Sequence, residues 1–331
     1  MQHLEYPDIY FEPSYAKIYT FNQEEVHEFI HKNEYGLISN LFIKRKIEVI
    51  LPDGNNYFDI VTPYGYGGPF IHYFTDKEKL ITSYMETFEE YALNNNIISE
   101  FVRFHPILGN GVDFEKSYNS IFERKTVGTN LTFKDVITSE FSKHKRKEIK
   151  KILNNPDIHY EIDENPQDLT DFIKIYYSTM DRNGANKYYY FDNEYFQKLL
   201  RSLPKNLITC KVFHKNQLIS MGIYFRYNKF LHAHLSGTLS EYLEFSPSYL
   251  LKYAMAIYGH EKGFDVIHYG GGSSPSPENG LYKFKKDFGN KTEFDFYIAK
   301  KIWNEKKYKE ICELTHSDIN SAFFPAYRNQ R

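Results

Sequence analysis

The sequence has little cysteine and almost no tryptophan. Its 331 residues include two cysteines, Cys210 and Cys312, and a single tryptophan. The two cysteines lie far apart and have no metal-type spacing, so the sequence indicates neither a disulfide framework nor a cysteine-based zinc site. This usage is typical of a reducing compartment, and we expect a cytoplasmic protein.

Long apolar runs and an excess of charge are also missing. No apolar run approaches the roughly 18 residues of a transmembrane helix, and the N-terminal stretch MQHLEYPDIYFEPSY has no apolar signal-peptide core. We expect a soluble chain without a transmembrane segment, for which transient contact with a membrane surface stays open. The formal net charge is −2, which argues against DNA as a partner but leaves room for a local basic patch that contacts tRNA.

Aromatic residues, in contrast, are abundant. The chain has 30 Tyr and 28 Phe, which allow large buried cores and, through the tyrosine hydroxyl groups, a lined cleft. With 41% hydrophobic and 25% charged residues the composition is that of a globular protein. At this length we expect two domains rather than one core.

Apolar periodicity predicts a mixture of strands and helices in both halves. The predicted strands lie at Ala16–Phe21, Lys46–Leu51, Tyr57–Thr62, Ser99–His105, Arg124–Thr132, Ile158–Ile162, Leu207–His214, Leu218–Tyr227, Phe230–Ser236, Asp265–Tyr269 and Glu293–Trp303. The predicted helices lie at Lys77–Leu93, Ser139–Leu153, Leu169–Met180, Asn193–Ser202 and Pro247–Lys262. In each half a helix, a short turn, an apolar strand and a glycine-containing loop follow one another, which indicates a duplicated α/β unit.

Three segments are unusual in their glycine, tyrosine and lysine content. They are TPYGYGGPF at 62–70, HAHLSGTLSEYLEFSPSYLL at 232–251 and GLYKFKKDFG at 280–289. In this order they resemble the FemAB-like branch of the GNAT acyltransferases, which includes the peptidoglycan interpeptide-bridge aminoacyltransferases. The segments KHKRKEIKKILNN, YYSTMDRNGANKYYYF and FFPAYR extend the resemblance over most of the chain.

The resemblance implies an α/β fold of two tandem GNAT-like domains with mixed sheets and a cleft between them. We place an acceptor-side domain at residues 1–138 and a donor-side domain at residues 139–331. The C-terminal tail is a candidate to pack back on the first domain.

The predicted donor site combines a glycine run with the lysine cluster that follows it. Glycines let a ligand approach the backbone, and a lysine stabilises a phosphate or a developing oxyanion. The alternative is an aromatic core with solvated lysines. In the resembled family the Phe-Lys pair that matches Phe284 and Lys285 lies at the donor site, which favours the functional interpretation. Donor binding is therefore assigned to Gly270, Gly271, Gly272, Phe284, Lys285 and Lys286.

The catalytic candidates are Lys285 and three residues of one strand. His232 and His234 alternate and so share a face, but no third ligand of suitable spacing accompanies them, so hydrogen-bonding histidines are favoured over a metal site. The resemblance puts the end of the central GNAT strand here, where the N–H groups of Ser236 and Gly237 are candidates to bind a carbonyl oxygen. His234 is the least unfavourable candidate for a general base.

The acceptor site is assigned to loop and strand residues of the first half and to one helix. The glycines at 62–70 suggest close backbone approach, and the segment VRFHP at 102–106 ends a strand. Lys143, Arg146, Lys147 and Lys150 share one helical face, which is either solvated or a phosphate contact. The assigned residues are Tyr64, Tyr66, Gly67, Gly68, Arg103, His105 and Arg146.

The reaction implied by the resemblance joins an activated acyl group to an amine, without a permanently bound cofactor. The co-substrate is acyl-CoA or aminoacyl-tRNA. Ordinary GNAT enzymes hold the CoA pyrophosphate at a glycine-rich helix N-terminus, whereas this helix opens with Ser246 and Pro247. We expect an N-acyltransferase acting on a small-molecule, lipid-linked or nucleotide-linked glycan or peptide precursor of the cell envelope. The alternatives are a Fem-type aminoacyltransferase and a catalytically inactive binding module.

Overall fold

The computed structural model describes residues 4–329, apart from the side chain of Tyr188. These residues form two compact units. The first unit contains residues 10–124 and 295–329, and the second contains residues 4–9 and 125–294. The domain boundary at residue 138 stays a prediction, since the compact units change over at Lys125 and again after Phe294.

The first unit is a mixed sheet with helices packed on it. Its strands are β1 (Glu25–Asn33), β2 (Gly36–Lys46), β3 (Phe58–Val61), β4 (Phe70–Phe74), β5 (Ile97–Arg103) and most of β12 (Glu293–Ile302). Its helices are α1 (Pro13–Ala16), α2 (Lys77–Asn94), α3 (Asn110–Asp113), α4 (Glu115–Tyr118) and α11 (Glu305–Leu314). β2 pairs antiparallel with β1, β3 and β4, β5 pairs parallel with β3, and β12 pairs antiparallel with β5.

The second unit is also a mixed sheet, in the order β6-β11-β10-β9-β8-β7. Its strands are most of β6 (Ile121–Asn130), β7 (Ile158–Asp163), β8 (Leu207–His214), β9 (Gln217–Tyr227), β10 (Phe230–Thr238) and β11 (Val266–Gly270). Its helices are α5 (Val136–Glu140), α6 (Lys143–Leu153), α7 (Thr170–Arg182), α8 (Asn193–Ser202), α9 (Pro247–Glu261) and α10 (Gly280–Lys286). Helix α9 packs across β8, β9, β10 and β11, and α7 packs on β9 and β10.

Each unit contains a pair of parallel strands joined by a crossover helix. In the first unit α2 joins β3 to β5, and in the second α9 joins β10 to β11. Neighbouring parallel strands need such a crossover, because the chain must return to the starting edge of the sheet before the second strand begins. Helix α2 buries Leu80, Tyr84, Phe88 and Ala92 on one face, and the first three belong to the helical spacing that predicted it. The predicted α/β class, with mixed sheets in two units, is confirmed.

Two strands predicted in the first half are wrong. Residues 16–21 are mostly helical, because Pro13 at the first position of α1 starts a turn that a 3-10 helix, Lys17–Tyr19, continues. Residues 47–51 lie beyond the end of β2, in a loop that closes with Asp53 and Gly54. Their apolar side chains are buried all the same, since Ile47 and Leu51 pack in a core with Tyr308 and Ile311.

The long helix predicted from Ser139 is interrupted. The buried carboxylate of Glu140, at the end of α5, accepts hydrogen bonds from the backbone N–H groups of Asn130 (3.2 Å) and Lys291 (2.9 Å). This fixes the chain away from a helical path, and Ser142 then caps a new helix through the N–H of Lys145 (3.3 Å). Among the helices of residues 4–329, none has the length and apolar character to cross a membrane; the cytoplasmic location stays a prediction.

Candidate active site

The two parallel strands of the second unit pair with each other over only a short length. β10 and β11 pair from Phe230 and Val266 to His232 and His268. Within the described chain they do not pair further, and each strand then has a bulge, β10 between Ala233 and Leu235 and β11 between His268 and Gly270. Bulges of this kind redirect side chains at the ends of strands and are frequent beside active sites.

The glycine-rich loop that follows β11, residues 270–272, is held by the helix after it. Gly270 begins the loop with a φ of 74°, a left-handed conformation that glycine adopts without strain. The side chain of Asn279 accepts hydrogen bonds from the N–H groups of Leu281 and Tyr282, both 3.1 Å, and donates to the hydroxyl of Ser273 (2.8 Å). Asn279 therefore caps α10 and fastens the loop to its first turn.

Lys285 is the lysine of its cluster that faces this loop. Its Nζ donates to the carbonyl oxygen of Gly271 at 2.6 Å. Lys286 instead forms an ion pair with Glu293 on β12, with 2.5 Å between Nζ and the carboxylate. The structure thus brings Lys285 and the predicted glycines together and gives Lys286 a separate partner.

Sequence reasoning missed a second lysine at the same loop, Lys252 on α9. Its Nζ lies 3.9 Å from the ring centroid of Tyr269, the residue before the glycines. Burial, and next the positive charge of Lys285, lower the pKa of Lys252 to about 7. The signal available in the sequence was a lone lysine within the apolar run PSYLLKYAMAIYG.

A third lysine ties α6 to this region. Lys145 donates to the hydroxyl of Tyr249 at 2.8 Å and lies 3.6 Å from Asp287. Phe284 packs against the Tyr249 ring, with 6.0 Å between ring centroids, so it is part of the aromatic core here. On the other side of α6, Arg146 donates to a backbone carbonyl of α5 at 3.3 Å, and its acceptor role stays a prediction.

His234 lies in the bulge of β10 and has a weakly basic ring. It hydrogen bonds with the hydroxyl of Tyr195, and its ring centroid is 4.6 Å from that of Phe225. Burial, assisted by His232, lowers the pKa of His234 to about 3. The imidazole is therefore neutral at physiological pH, and its low basicity does not favour it as general base. Its neighbour His232 bonds with Asp8 at 2.8 Å.

The end of β10 is covered by α7. A Cβ atom on Gly237 would lie 2.8 Å from the carbonyl oxygen of Ile175, so glycine permits this close approach of helix and strand. The N–H of Thr238 donates to Thr179 of α7 at 2.8 Å. Ser236, in contrast, is exposed. Of the two residues predicted to bind a carbonyl oxygen, only Ser236 faces solvent.

Several predicted acceptor residues form an aromatic cluster within the first unit. The ring of Tyr66 lies edge-on to those of Tyr10 and His105, at centroid distances of 5.3 and 5.7 Å. Burial raises the pKa of Tyr66 above its ordinary value. Tyr64 stacks on Tyr19 at 5.3 Å, and His105 is fully buried.

The other residues assigned to the acceptor hold the 62–70 loop in place. Arg103 donates to the carbonyl oxygens of Thr62 (2.9 Å) and Pro63 (3.1 Å). The carbonyl oxygen of Gly67 accepts from Asn110 at 2.8 Å, and Gly67 and Gly68 are both buried. Their contact with an acceptor stays a prediction.

Comparison with known proteins agrees with this geometry. Residues 139–286, which lie within the second unit, match the family model described as an acetyltransferase (GNAT) domain. No curated protein sequence matches the chain. Over residues 139–286 the chain is therefore similar to a GNAT acetyltransferase domain.

Solved structures resemble the chain over most of its length. FemX matches with a TM-score of 0.68 and 13% identity, over 91% of this chain and 94% of FemX. The C-terminal domain of a putative lysylphosphatidylglycerol synthetase from Agrobacterium fabrum has a TM-score of 0.57 and 12% identity, over 91% and 89%. L-PGS from Bacillus licheniformis has a TM-score of 0.51 and 11% identity, over 83% of each chain. These likenesses show that the chain shares the fold of FemX.

Proposed function

We propose that the protein transfers an acyl group from acyl-CoA to an amine of a glycan or peptide precursor of the cell envelope. The observation that carries this proposal is the position of Lys285, whose ammonium group lies 2.6 Å from the carbonyl oxygen of Gly271 beside the ends of two separating strands. Attack of a neutral amine on a thioester creates an oxyanion, and a fixed ammonium group stabilises it. Ser236, exposed at the end of β10, lies on the strand expected to offer a backbone N–H to the same oxygen.

A second candidate function uses aminoacyl-tRNA as the donor. The start of α9 favours it, because Ser246 precedes the helix with a φ of 48° and makes no side-chain cap, while Pro247 at its first position has no N–H. A helix N-terminus of this kind offers fewer amides to a CoA pyrophosphate than the usual GNAT turn. One of the similar structures is also named as the C-terminal domain of a putative lysylphosphatidylglycerol synthetase.

The donor is tested by offering the purified protein labelled acetyl-CoA and, separately, charged tRNA. Each reaction contains amine-bearing acceptors, an amino-sugar nucleotide and a peptide-bearing nucleotide precursor, and products are identified by mass spectrometry. The proposal expects an acetylated amine from acetyl-CoA. An aminoacylated product from charged tRNA alone supports the second candidate, and no product from either donor contradicts both.

The basic face of α6 gives a second test of the two donors, based on how binding of charged tRNA depends on salt concentration. Lys143 and Lys147 are exposed and Arg146 is partly exposed. Replacing all three with glutamine is expected to weaken binding of charged tRNA about tenfold and to flatten its dependence on salt, because contacts with phosphate release counterions. Binding is measured by filter retention at several salt concentrations, with the exposed Lys309→Gln as control. An unchanged salt slope identifies this face as ordinary solvated surface.

A further inference from the structure

The first unit contains a cavity of about 630 Å³, lined by the segment that follows helix α11. This volume is within the range of about 300–1000 Å³ that small-molecule sites have. Most of the lining residues are polar: Thr315, His316, Ser317, Asp318, Ser321 and Asn329. The others are Ala326 and Tyr327, and no described residue that lines the cavity is a lysine or an arginine. The cavity therefore suits a small polar ligand.

Hydrogen bonds fix the walls of this cavity to the sheet of the first unit. The hydroxyl of Tyr327 bonds with that of Ser99 on β5 at 2.9 Å. Arg328 donates to the carbonyl oxygen of Lys46, at the end of β2, at 2.8 Å. A ligand therefore enters a preformed cavity and loses less affinity to the ordering of the chain.

His316 lines the cavity from a backbone position that glycine usually occupies. Its φ is 52°, and its N–H donates to the carbonyl oxygen of Glu313 at 3.1 Å. The N–H of the next residue, Ser317, donates to the carbonyl oxygen of Cys312 at 2.8 Å. These two bonds form the Schellman motif that ends many helices, with glycine as its common left-handed residue. A histidine is more strained there, which indicates a role for its side chain.

Several polar groups of the cavity retain hydrogen-bonding capacity. Oδ1 of Asp318 accepts from the N–H of Asn320 at 2.9 Å, whereas no donor among residues 4–329 contacts its Oδ2. The ring nitrogens of His316 likewise have no partner within the described chain. The hydroxyl oxygen of Ser321 accepts from the side chain of Asn329 at 3.3 Å, and its own hydrogen is donated to no described acceptor.

The lining matches the hydrogen bonds that an uncharged sugar makes. Each sugar hydroxyl both donates and accepts, and the cavity offers acceptors at Asp318 and donors at Ser321 and Asn329. An anionic ligand is disfavoured by the carboxylate of Asp318, and an apolar ligand by the cost of desolvating the polar lining. We propose that the cavity is a binding site for an uncharged sugar, whose hydroxyl groups donate to the carboxylate of Asp318. The inference goes beyond the proposed function, since it assigns no part of the acyl transfer to this cavity.

Saturation-transfer NMR and calorimetric titration of the full chain test this inference. The probes are four uncharged disaccharides that differ in configuration, linkage and acetylation: maltose, cellobiose, lactose and N,N′-diacetylchitobiose. Glucose 1-phosphate and glucosamine serve as the anionic and cationic comparison. At least one disaccharide is expected to bind, and to bind more tightly than either charged probe.

Two variants place the bound sugar in the cavity. Asp318→Asn is expected to weaken binding at least tenfold, because hydrogen bonds to a charged acceptor are lost. His316→Gly removes the ring and relieves the left-handed backbone, so it is expected to fold at least as well as wild type and to bind about fivefold more weakly. The matched control is Glu313→Gln, exposed on α11 and outside the cavity lining, which is expected to bind as wild type does.

The outcomes separate this inference from the proposed function. A wild-type protein that binds none of the four disaccharides overturns it, as does equal affinity in wild type, Asp318→Asn and His316→Gly. Tighter binding of glucose 1-phosphate or glucosamine also overturns it, because the cavity then takes a charged ligand. A protein that binds a disaccharide through Asp318 but forms no acylated product retains this site and loses the proposed function.

Discussion

Replacing Lys285 with alanine is expected to lower the rate of acyl transfer by about 100- to 1000-fold. The reason is geometric: the hydrogen bond with Gly271 (2.6 Å) fixes the ammonium group beside the loop before the donor arrives. Electrostatic groups fixed in this way stabilise a transition state without being reorganised during the reaction. The measurement is the initial rate of amide formation at saturating donor, with a thermal unfolding curve for the same preparation.

A matched control, Lys283, lies two residues before Lys285 on the same helix. Lys283 is exposed and forms its ion pair with Glu278, away from the glycines. Lys283→Ala is expected to keep the wild-type rate, and Lys285→Ala is expected to unfold within a few degrees of wild type, because one hydrogen bond contributes about 1 kcal/mol. A rate loss that matches the loss of folded Lys285→Ala protein would contradict the catalytic role.

The second large effect is a dependence of folding stability on pH, which arises from Glu100 in the first unit. Glu100 is buried and accepts hydrogen bonds from Asn40 (3.1 Å), Tyr118 (3.2 Å) and Trp303 (3.2 Å). Burial raises the pKa of Glu100 to about 7, although these hydrogen bonds oppose the shift. In the unfolded chain the pKa of this group is near its ordinary 4.5.

The sign of the effect on stability follows from these two values. Below pH 4.5 the carboxyl group is protonated in both states. Between pH 4.5 and 7 the unfolded chain loses its proton while folded Glu100 keeps it, so the free energy of unfolding falls as pH rises. Above pH 7 the loss is complete and amounts to about 3 kcal/mol.

Glu100→Gln cannot ionise and is therefore expected to escape this loss. Between pH 4 and pH 8 its free energy of unfolding is expected to shift by about 3 kcal/mol in its favour relative to wild type. Urea unfolding at a series of pH values, followed by the fluorescence of the single tryptophan, Trp303, measures the difference. The exposed Glu90→Gln is the control, and parallel pH profiles for Glu100→Gln and wild type would refute the assignment.

The sequence predicted best those elements whose signal is local. Helix α2 was found because its apolar residues repeat at helical spacing, and α9 because Pro247 and Gly263 mark its ends. Most strands of the second unit were found because their apolar runs are short and bounded. The hairpin of β1 and β2 was missed. Its first strand, EVHEFIHKN, is charged and mostly not buried, and no Asn-Gly or Asp-Gly pair marks its turn at Glu34 and Tyr35.

The same distinction holds for the candidate site. Lys285 and Gly271 lie within one short segment, so their proximity was predictable from the sequence. Lys252 belongs to another helix and reaches the loop only because α9 crosses the sheet beside β11. The low pKa of His234 and the cover that α7 places on Gly237 also depend on tertiary packing, which apolar periodicity does not encode.

The discontinuity of the first unit has a consequence for the order in which the nascent chain folds. Domains fold largely as units while they leave the ribosome. All residues of the second unit have been synthesised once Phe294 is added, whereas the first unit then still lacks the part of β12 that pairs with β5, and Trp303, which bonds with Glu100. Tyr327, whose hydroxyl group hydrogen bonds with that of Ser99, is added later still. The first unit is therefore completed after the second, and until then β5 has an unpaired edge.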